Sequence, residues 1–489
     1  MIYASLRASV VAAFSHRDQI MDRQELIARL RHILGPQDVL SSRAECATYG
    51  YDASVFQGEE IVAVAFPEST AEVAQIVCLA GAAKVPYLAR GSGTGISGGA
   101  IPTQGGLVIE LAKMNRVVEI DLANQYAVVE PGVINQDLKE LLAEQGYGHT
   151  YVPDPGSQVV SSIGGNVANN AGGMHCLKYG VTTNHIIGLE VVLPDGSVIS
   201  VGGKVLDQPG CDLTGLFVGS EGTLGIVTKI VVRIVRLPEV VRTQLALFPS
   251  VDDAANAVSA IMTAGILPAA LELLDRACMQ VVDQAIRMGF PENAGAALII
   301  ELDGLQDGMS RTIDRVADIC KEHAVIEVRT AHTAEEAARL WLSRRAAYGA
   351  LARLAPTCYI VDGCVPRTKL PEALARTIDI GSRYGLTIAN MAHAGDGNLH
   401  PAIPFDINDP DACQRVMACG RDILQMCADL GGTITGEHGV GIEKQNEMPF
   451  VFSPTDLAVM HRVKEVIDPD DLCNPGKIFP STTPPRFLS

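Results

Sequence analysis

The sequence has no excess of positive charge: 38 Lys and Arg stand against 56 Asp and Glu in 489 residues, a net charge of −18. A nucleic-acid backbone needs a positive footprint, so nucleic acid is excluded as a partner on this balance. An anionic ligand must then be held by local basic groups or by backbone N–H donors. No run reaches the roughly 18 consecutive apolar residues of a membrane helix. The longest, near Ile226 to Val235, is broken by Lys229 and Arg233, so no integral membrane segment is expected. None of the 12 cysteines is spaced Cys-x-x-Cys; the nearest pairs, Cys358 with Cys364 and Cys413 with Cys419, lie six apart. That speaks against iron–sulfur and zinc-ribbon patterns and for reduced thiols in a cytoplasmic protein. Low-complexity tracts and strong internal repeats are absent too. Met1 to Gln19 has one short apolar patch, Ala8 to Phe14, with no small-residue cleavage site, so no secretory leader is expected.

What remains is ordinary globular composition, 47% hydrophobic and 19% charged, in a chain long enough for two or three domains. Four segments are predicted. Residues 1–37 form an extension, of no structural consequence over about the first twenty residues, and an amphipathic helix from Met21 to Leu34. Residues 38–238 alternate short β-branched runs with glycine-rich turns, and Leu224 to Leu237 reads as the strand closing this domain. Residues 239–445 change character, with helices over Val251–Ala264, Leu271–Met288, Ser310–His323, Ala334–Leu354, Leu370–Tyr384 and Ala412–Leu430. Strands are predicted there near Ala297–Leu302, Val325–Arg329, Tyr359–Val365 and Thr387–Ala392, giving an α+β domain with helices on one face of a mostly antiparallel sheet. Residues 446–489 are punctuated by proline and return to the first domain.

Three glycine-rich segments fall within the first domain. Gly91-Ser-Gly93-Thr-Gly95-Ile-Ser-Gly98-Gly99 follows the strand-like Pro86 to Arg90 and contains G-x-G-x-x-G from Gly93 to Gly98. A dinucleotide-binding Rossmann turn should open a helix, whereas glycine and proline persist here through Pro102 and Gly106, so that reading fails on context. What survives is a backbone able to converge its N–H groups on an anion, with Arg90 to add charge. The second segment, from Pro153 to Gly173, packs four glycines and three asparagines into the ten residues from Gly164. Such amides read a phosphate or a heterocycle edge without adding charge. The third is Gly219-Ser-Glu221-Gly222-Thr-Leu-Gly225. Each alone could be a turn; together they indicate an extended cofactor.

In the second domain, His393-Ala-Gly-Asp396-Gly-Asn398-Leu-His400 places two imidazoles either side of a turn, where a hairpin-like loop can bring both rings to one point, as a divalent metal needs. Gly436-Glu437-His438-Gly439 adds a carboxylate and a third imidazole. Asp396 and Asn398 read as turn-formers.

The three glycine-rich segments resemble the FAD-binding segments of the vanillyl-alcohol-oxidase-type (VAO/PCMH-type) flavoprotein family. From about Asp38 to Pro480 the chain is similar to that family's D-2-hydroxyacid dehydrogenase branch of the glycolate oxidase type. Shared surroundings include Pro153-Asp-Pro, His175-Cys-Leu-Lys-Tyr-Gly180 and Glu301-Leu-Asp-Gly304. The resemblance implies an α+β two-domain fold with a PCMH-type FAD-binding domain and an α+β cap. It implies FAD contacts from Arg90, Gly91, Ser92, Gly93, Thr94, Gly95 and Ser97, from Pro155, Ser157, Ser161, Gly164, Asn166 and Asn170, from Glu221, Gly222 and Ile226, and from Asn474. Many relatives attach flavin through a histidine in the first loop; Thr94 stands about there, so FAD is expected to be dissociable. His175 and Cys176 are the other conceivable attachment points, and packing is the expected role for both.

The same resemblance implies that His393, His400 and Glu437 hold a divalent ion (zinc, manganese or iron), that His438 is the base and that Arg344 grips the substrate carboxylate. The residue types suit oxidation of a 2-hydroxy acid: an imidazole can take the hydroxyl proton while the α-hydride goes to flavin N5, and an arginine fork fits a carboxylate. Pro401-Ala-Ile-Pro404 is apolar where relatives handling dicarboxylates carry an amide, which favours glycolate or D-lactate. With no cluster or haem motif in the chain, the resemblance implies electron exit through a second flavin subunit and an iron–sulfur subunit, peripheral at the inner membrane. The alternatives are a self-sufficient D-lactate or D-2-hydroxyglutarate dehydrogenase, and a catalytically silent flavin subunit.

Overall fold

Ile226–Arg233 buries every second side chain, the period of a strand with one face inward. In the computed structural model, which describes residues 21–206, 209–483 and 485–488, this strand runs through the middle of a five-stranded antiparallel sheet. The order is Val198–Gly202, Ile186–Val192, Ile226–Arg233, Tyr126–Val129 and Val117–Asp121. The expectation for the first twenty residues lies outside the described residues.

A second, four-stranded sheet orders Val39–Leu40, Ile61–Ala65, Gly106–Glu110 and Tyr87–Arg90, the last three parallel. Parallel neighbours need a crossover. The Thr70–Ala83 helix supplies it, started by a capping box between Ser69 and Glu72. This helix and Asn135–Glu144 were not in the predicted pattern, because the strands and glycine turns around them dominate the periodicity. The second glycine-rich segment also contains a helix, Ile163–Asn169, whose N-cap Ser162 accepts from Gly165 N–H. Tyr87–Arg90 ends directly on the first glycine loop, so the sheet presents that loop at its edge.

The second half is built on one antiparallel sheet, in the order Glu327–Thr330, Val240–Phe248, Ala296–Gly304, Ala270–Asp275, Ala389–His393, Asn398–Phe405 and Thr357–Ile360. Its helices cover both faces, not one. Leu245, Leu247, Ala297 and Ile299 pack with Val282 of the Arg276–Ile286 helix and Trp341 of Ala334–Arg345. Ala246, Phe248, Leu298 and Ile300 pack with Val258, Val316, Leu374 and Ile423 on the opposite face. Strands buried on both faces read as continuous apolar runs, and Ala296–Gly304 buries its first seven residues in succession.

Two further expectations are corrected. The predicted helix Leu271–Met288 divides into a strand, Ala270–Asp275, and a helix, Arg276–Ile286, capped by the Asp275 side chain at Cys278 N–H. Apolar runs this short suit either state, and pairing with Ala296–Gly304 and Ala389–His393 decides for strand. Pro401 and Pro404 mask a strand in the sequence because each removes a backbone donor, yet Asn398–Phe405 pairs on both sides. The last segment runs back along the first half: Tyr87 N–H donates to Leu472 O at 2.8 Å and Asn474 N–H to Tyr87 O at 2.7 Å.

Candidate active site

A cavity of about 910 Å³ lies between the two halves and is lined by both, within the usual range for cofactor and ligand sites. On one side it meets Arg90, Gly91, Ser92, Gly93, Thr94 and Gly95, then Pro155, Ser157, Gly164, Asn166, Glu221 and Gly222. Among the described residues, no backbone N–H from Gly91 to Ser97 donates to a protein acceptor. Free donors of consecutive residues, with Gly93 at φ +66°, make the concave nest that anions occupy. The glycines also let two loops close on each other: a Cβ on Gly91 would lie 2.2 Å from Ser162 Oγ, and one on Gly164 2.5 Å from Pro131 Cβ.

Other predicted contacts stand outside the lining. Ser97 Oγ donates to His438 O at 2.9 Å. Ser161 Oγ accepts from Asn166 Nδ2 at 3.2 Å. Asn170 closes its helix in the left-handed region and its Oδ1 accepts from Thr183 N–H. Ile226 is core. Asn474 Nδ2 ties together the carbonyls of Gly99 and Glu221, at 3.0 and 2.7 Å. Ser97, Ser161, Asn170 and Asn474 thus each make a hydrogen bond within the protein, which fits them to brace the loops. Glu221 lines the cavity, but its carboxylate accepts Val440 and Gly441 N–H, at 2.7 and 2.8 Å, and so pins the His438 loop to the first domain. Arg90, 8% exposed, is paired with Glu110 at 3.7 Å, and burial lifts that carboxyl to about 7.

The cap side of the cavity brings together Arg344, Tyr348, Ile360, Met391, His393, His400, Glu437 and His438. His393 and His400 sit on the two paired strands either side of the turn, and Asp396 Oδ1 accepts Asn398 N–H there. Their rings meet edge to face with centroids 4.9 Å apart. Both Nε2 atoms converge on Glu437 Oε1, at 3.0 and 3.1 Å. Three buried or nearly buried ligand atoms within 4.8 Å of one another, two imidazole and one carboxylate, form a donor set that fits a divalent ion. His438 stacks on His400 at 4.9 Å, with an interplanar angle of 17°. Burial disfavours its cationic form and outweighs the attraction of Asp362, holding it near 4, so the imidazole is neutral at neutral pH.

Two acids not singled out in the sequence organise this set. Asp362, fully buried, accepts Thr435 Oγ1 at 2.6 Å and the N–H groups of Gly436, Glu437 and His438 at 3.0, 3.2 and 2.9 Å. Burial alone would raise its pKa, but His438 and the buried Lys444 hold it near 2. Glu272, also fully buried, meets His393 Nδ1 at 2.6 Å and accepts from Arg344 Nε at 2.8 Å. The available signal was an acid set among apolar neighbours, in Leu271-Glu272-Leu-Leu274 and Ile360-Val-Asp362, since carboxylates are almost never fully buried unless paired. His175 and Cys176 do not line the cavity.

Residues 61–202 match the FAD binding domain family and residues 237–478 the family of FAD linked oxidases, C-terminal domain. The glycolate oxidase subunit GlcD of Bacillus subtilis is 42% identical, over 96% of this chain and 100% of its own. The chain belongs to the FAD-linked oxidase family. Another member, the D-lactate dehydrogenase of Archaeoglobus fulgidus, is 33% identical over 84% of this chain and 90% of its own. Among solved structures, p-cresol methylhydroxylase superposes with a TM-score of 0.78 at 18% identity, covering 93% of this chain and 96% of that one. That likeness establishes the vanillyl-alcohol-oxidase-type fold of the family. No helix among the described residues is long and apolar enough to cross a membrane.

Proposed function

We propose that this chain oxidises a small 2-hydroxy acid, glycolate to glyoxylate or D-lactate to pyruvate. The observation that carries the reading is a single cavity shared by the glycine loops of one domain and His393, His400, Glu437, His438 and Arg344 of the other.

Arg344 keeps Nε on Glu272 and touches Met391 Sδ with Nη1 at 3.8 Å, which leaves N–H donors on both Nη groups to grip the substrate carboxylate. Neutral His438 takes the hydroxyl proton; its carbonyl is anchored by Ser97 and Asn169 and its loop by Asp362 and Glu221, so the ring is held in place. A divalent ion on His393, His400 and Glu437, when bound, supplies Lewis-acid polarisation of the hydroxyl oxygen. FAD, when bound along the glycine loops, supplies the acceptor for the α-hydride. Ile360 and Met391 give the substrate side an apolar wall, which suits a hydrogen or methyl at the α-carbon and disfavours the second carboxylate of 2-hydroxyglutarate. Thr94 offers no ring nitrogen for a flavin bond, so FAD is held without one. The subunit designation of the Bacillus subtilis relative supports electron exit through partner subunits, which we take to be a second flavin subunit and an iron–sulfur subunit, peripheral at a membrane. An intact set of base, ligands and arginine argues against a silent assembly subunit.

The test is anaerobic mixing of the purified flavoprotein with glycolate, D-lactate, L-lactate and D-2-hydroxyglutarate in turn. Glycolate or D-lactate should bleach the oxidised flavin band. Bleaching by D-2-hydroxyglutarate alone would refute the small-substrate assignment.

A further inference from the structure

Glu272 lies in the Ala270–Asp275 strand, and its register partner on the neighbouring strand is His393. Its two oxygens go to two different parts of the site. Oε1 meets His393 Nδ1 at 2.6 Å, and Oε2 accepts from Arg344 Nε at 2.8 Å. The His393 ring in turn aims Nε2 at Glu437, 3.0 Å away. A carboxylate with none of its surface exposed is expensive unless both oxygens are satisfied, and here both are satisfied by groups that line the cavity. An apolar side chain would fill the same space in the sheet without that desolvation cost, so packing does not account for the acid.

What the acid does is orient. A carboxylate on Nδ1 keeps a proton there, so Nε2, which faces His400 and Glu437, is the nitrogen that gives up its proton when an ion binds, the arrangement a metal-bound imidazole needs. On the arginine, a bond at Nε sets the plane of the guanidinium and leaves both Nη groups with N–H donors to offer, Nη1 making one weak contact to Met391 Sδ at 3.8 Å. We infer that Glu272 is a positioning residue that couples the two halves of the substrate grip, setting the His393 nitrogen offered to the ion and the Arg344 plane offered to the substrate carboxylate. This rests on the ligand and arginine roles proposed above. Glutamine cannot replace it, because its amide nitrogen is a donor and must face the donor of either His393 or Arg344.

The test compares E272Q with wild type, H393A and R344A, each as the full-length flavoprotein. Three quantities are measured: FAD per chain, Mn²⁺ retained per flavin after dialysis against graded free Mn²⁺, and the D-lactate concentration that half-saturates anaerobic flavin bleaching. E272Q should keep its FAD, hold Mn²⁺ about 10–100-fold more weakly, and need at least about tenfold more D-lactate. Wild-type values for both in E272Q, with H393A losing the ion and R344A losing D-lactate affinity, would overturn the inference and leave the site reading intact. Loss of only one of the two would overturn the coupling. Full ion retention in H393A together with unchanged D-lactate affinity in R344A would defeat the site reading itself and the inference with it. Should E272Q not accumulate with flavin, E272D carries the same test: the charge remains, but a side chain one methylene shorter cannot reach both partners, and wild-type values for both would again overturn the inference.

Discussion

His175 Nε2 meets Glu301 Oε1 at 2.9 Å, joining the first domain to the central sheet of the cap. Its other nitrogen, Nδ1, meets Asp154 at 2.6 Å. Glu301 Oε2 accepts Trp341 Nε1 at 2.6 Å, from the helix that carries Arg344. Lys178 and Tyr179 bond Asp303 close by. Three segments that carry the resemblance in sequence, at Pro153-Asp-Pro, His175 to Gly180 and Glu301 to Gly304, therefore meet as one junction beside the cavity, which Pro155 alone among them lines.

That junction is expected to hold by charge. Burial would lower the His175 pKa, but Asp154 and Glu301 together raise it to about 10. A folded-state pKa above the unfolded value of about 6.5 stabilises the folded protein fully below that lower value, and the contribution is lost as pH rises through about 10. H175Q leaves two nearly buried carboxylates without their cation and should cost about 3 kcal/mol at pH 6. Melting temperatures of wild type and H175Q should converge as pH is raised from 6 to 10; a gap independent of pH would refute a charged latch.

H438A should retain FAD and lose about 10²–10⁴-fold in the rate of flavin bleaching, the usual worth of a positioned base. Stopped-flow reduction under nitrogen measures it. An unchanged rate would point to a different base or to the silent-subunit reading.

Arg344→Lys exchanges a planar fork, anchored on Glu272, for a point charge. The expected result is a rise of about tenfold or more in half-saturating substrate, the scale of one lost charge-assisted contact, with FAD content unchanged. Arg345 borders the cavity but is exposed, and its Nη2 donates to the Ala338 carbonyl rather than to a buried acid, so it should tolerate the same exchange.

Prolonged EDTA treatment should depress turnover, and one added divalent ion should restore it. Zinc, manganese and iron(II) are tried separately, because two imidazoles and a carboxylate do not by themselves select among them. Full activity in protein shown to be metal-free by elemental analysis would remove the ion from the scheme.

Acid precipitation should leave the yellow colour in the supernatant. A coloured pellet would mean a covalent flavin, and the absence of a histidine at Thr94 would then have misled.

Local features were legible without the fold. Five glycines in nine residues confine Gly91 to Gly99 to a loop of exposed donors, and a four-residue turn between His393 and Asn398 brings two imidazoles onto paired strands. Both depend on backbone conformation within a few residues, which residue type largely dictates. The strand at Ala270–Asp275 was not legible, since Leu271-Glu-Leu-Leu suits helix and strand alike until strands from distant parts of the chain pair with it. The same pairing sets Glu272 opposite His393, 121 residues away, and carries Glu301 to His175 across 126. The chain itself thus determined which loops can cradle a cofactor and which residue types could hold an ion. Only the tertiary structure decided which buried acids orient them, because a buried charge is tolerated only where a partner arrives, and register between distant strands chooses the partner.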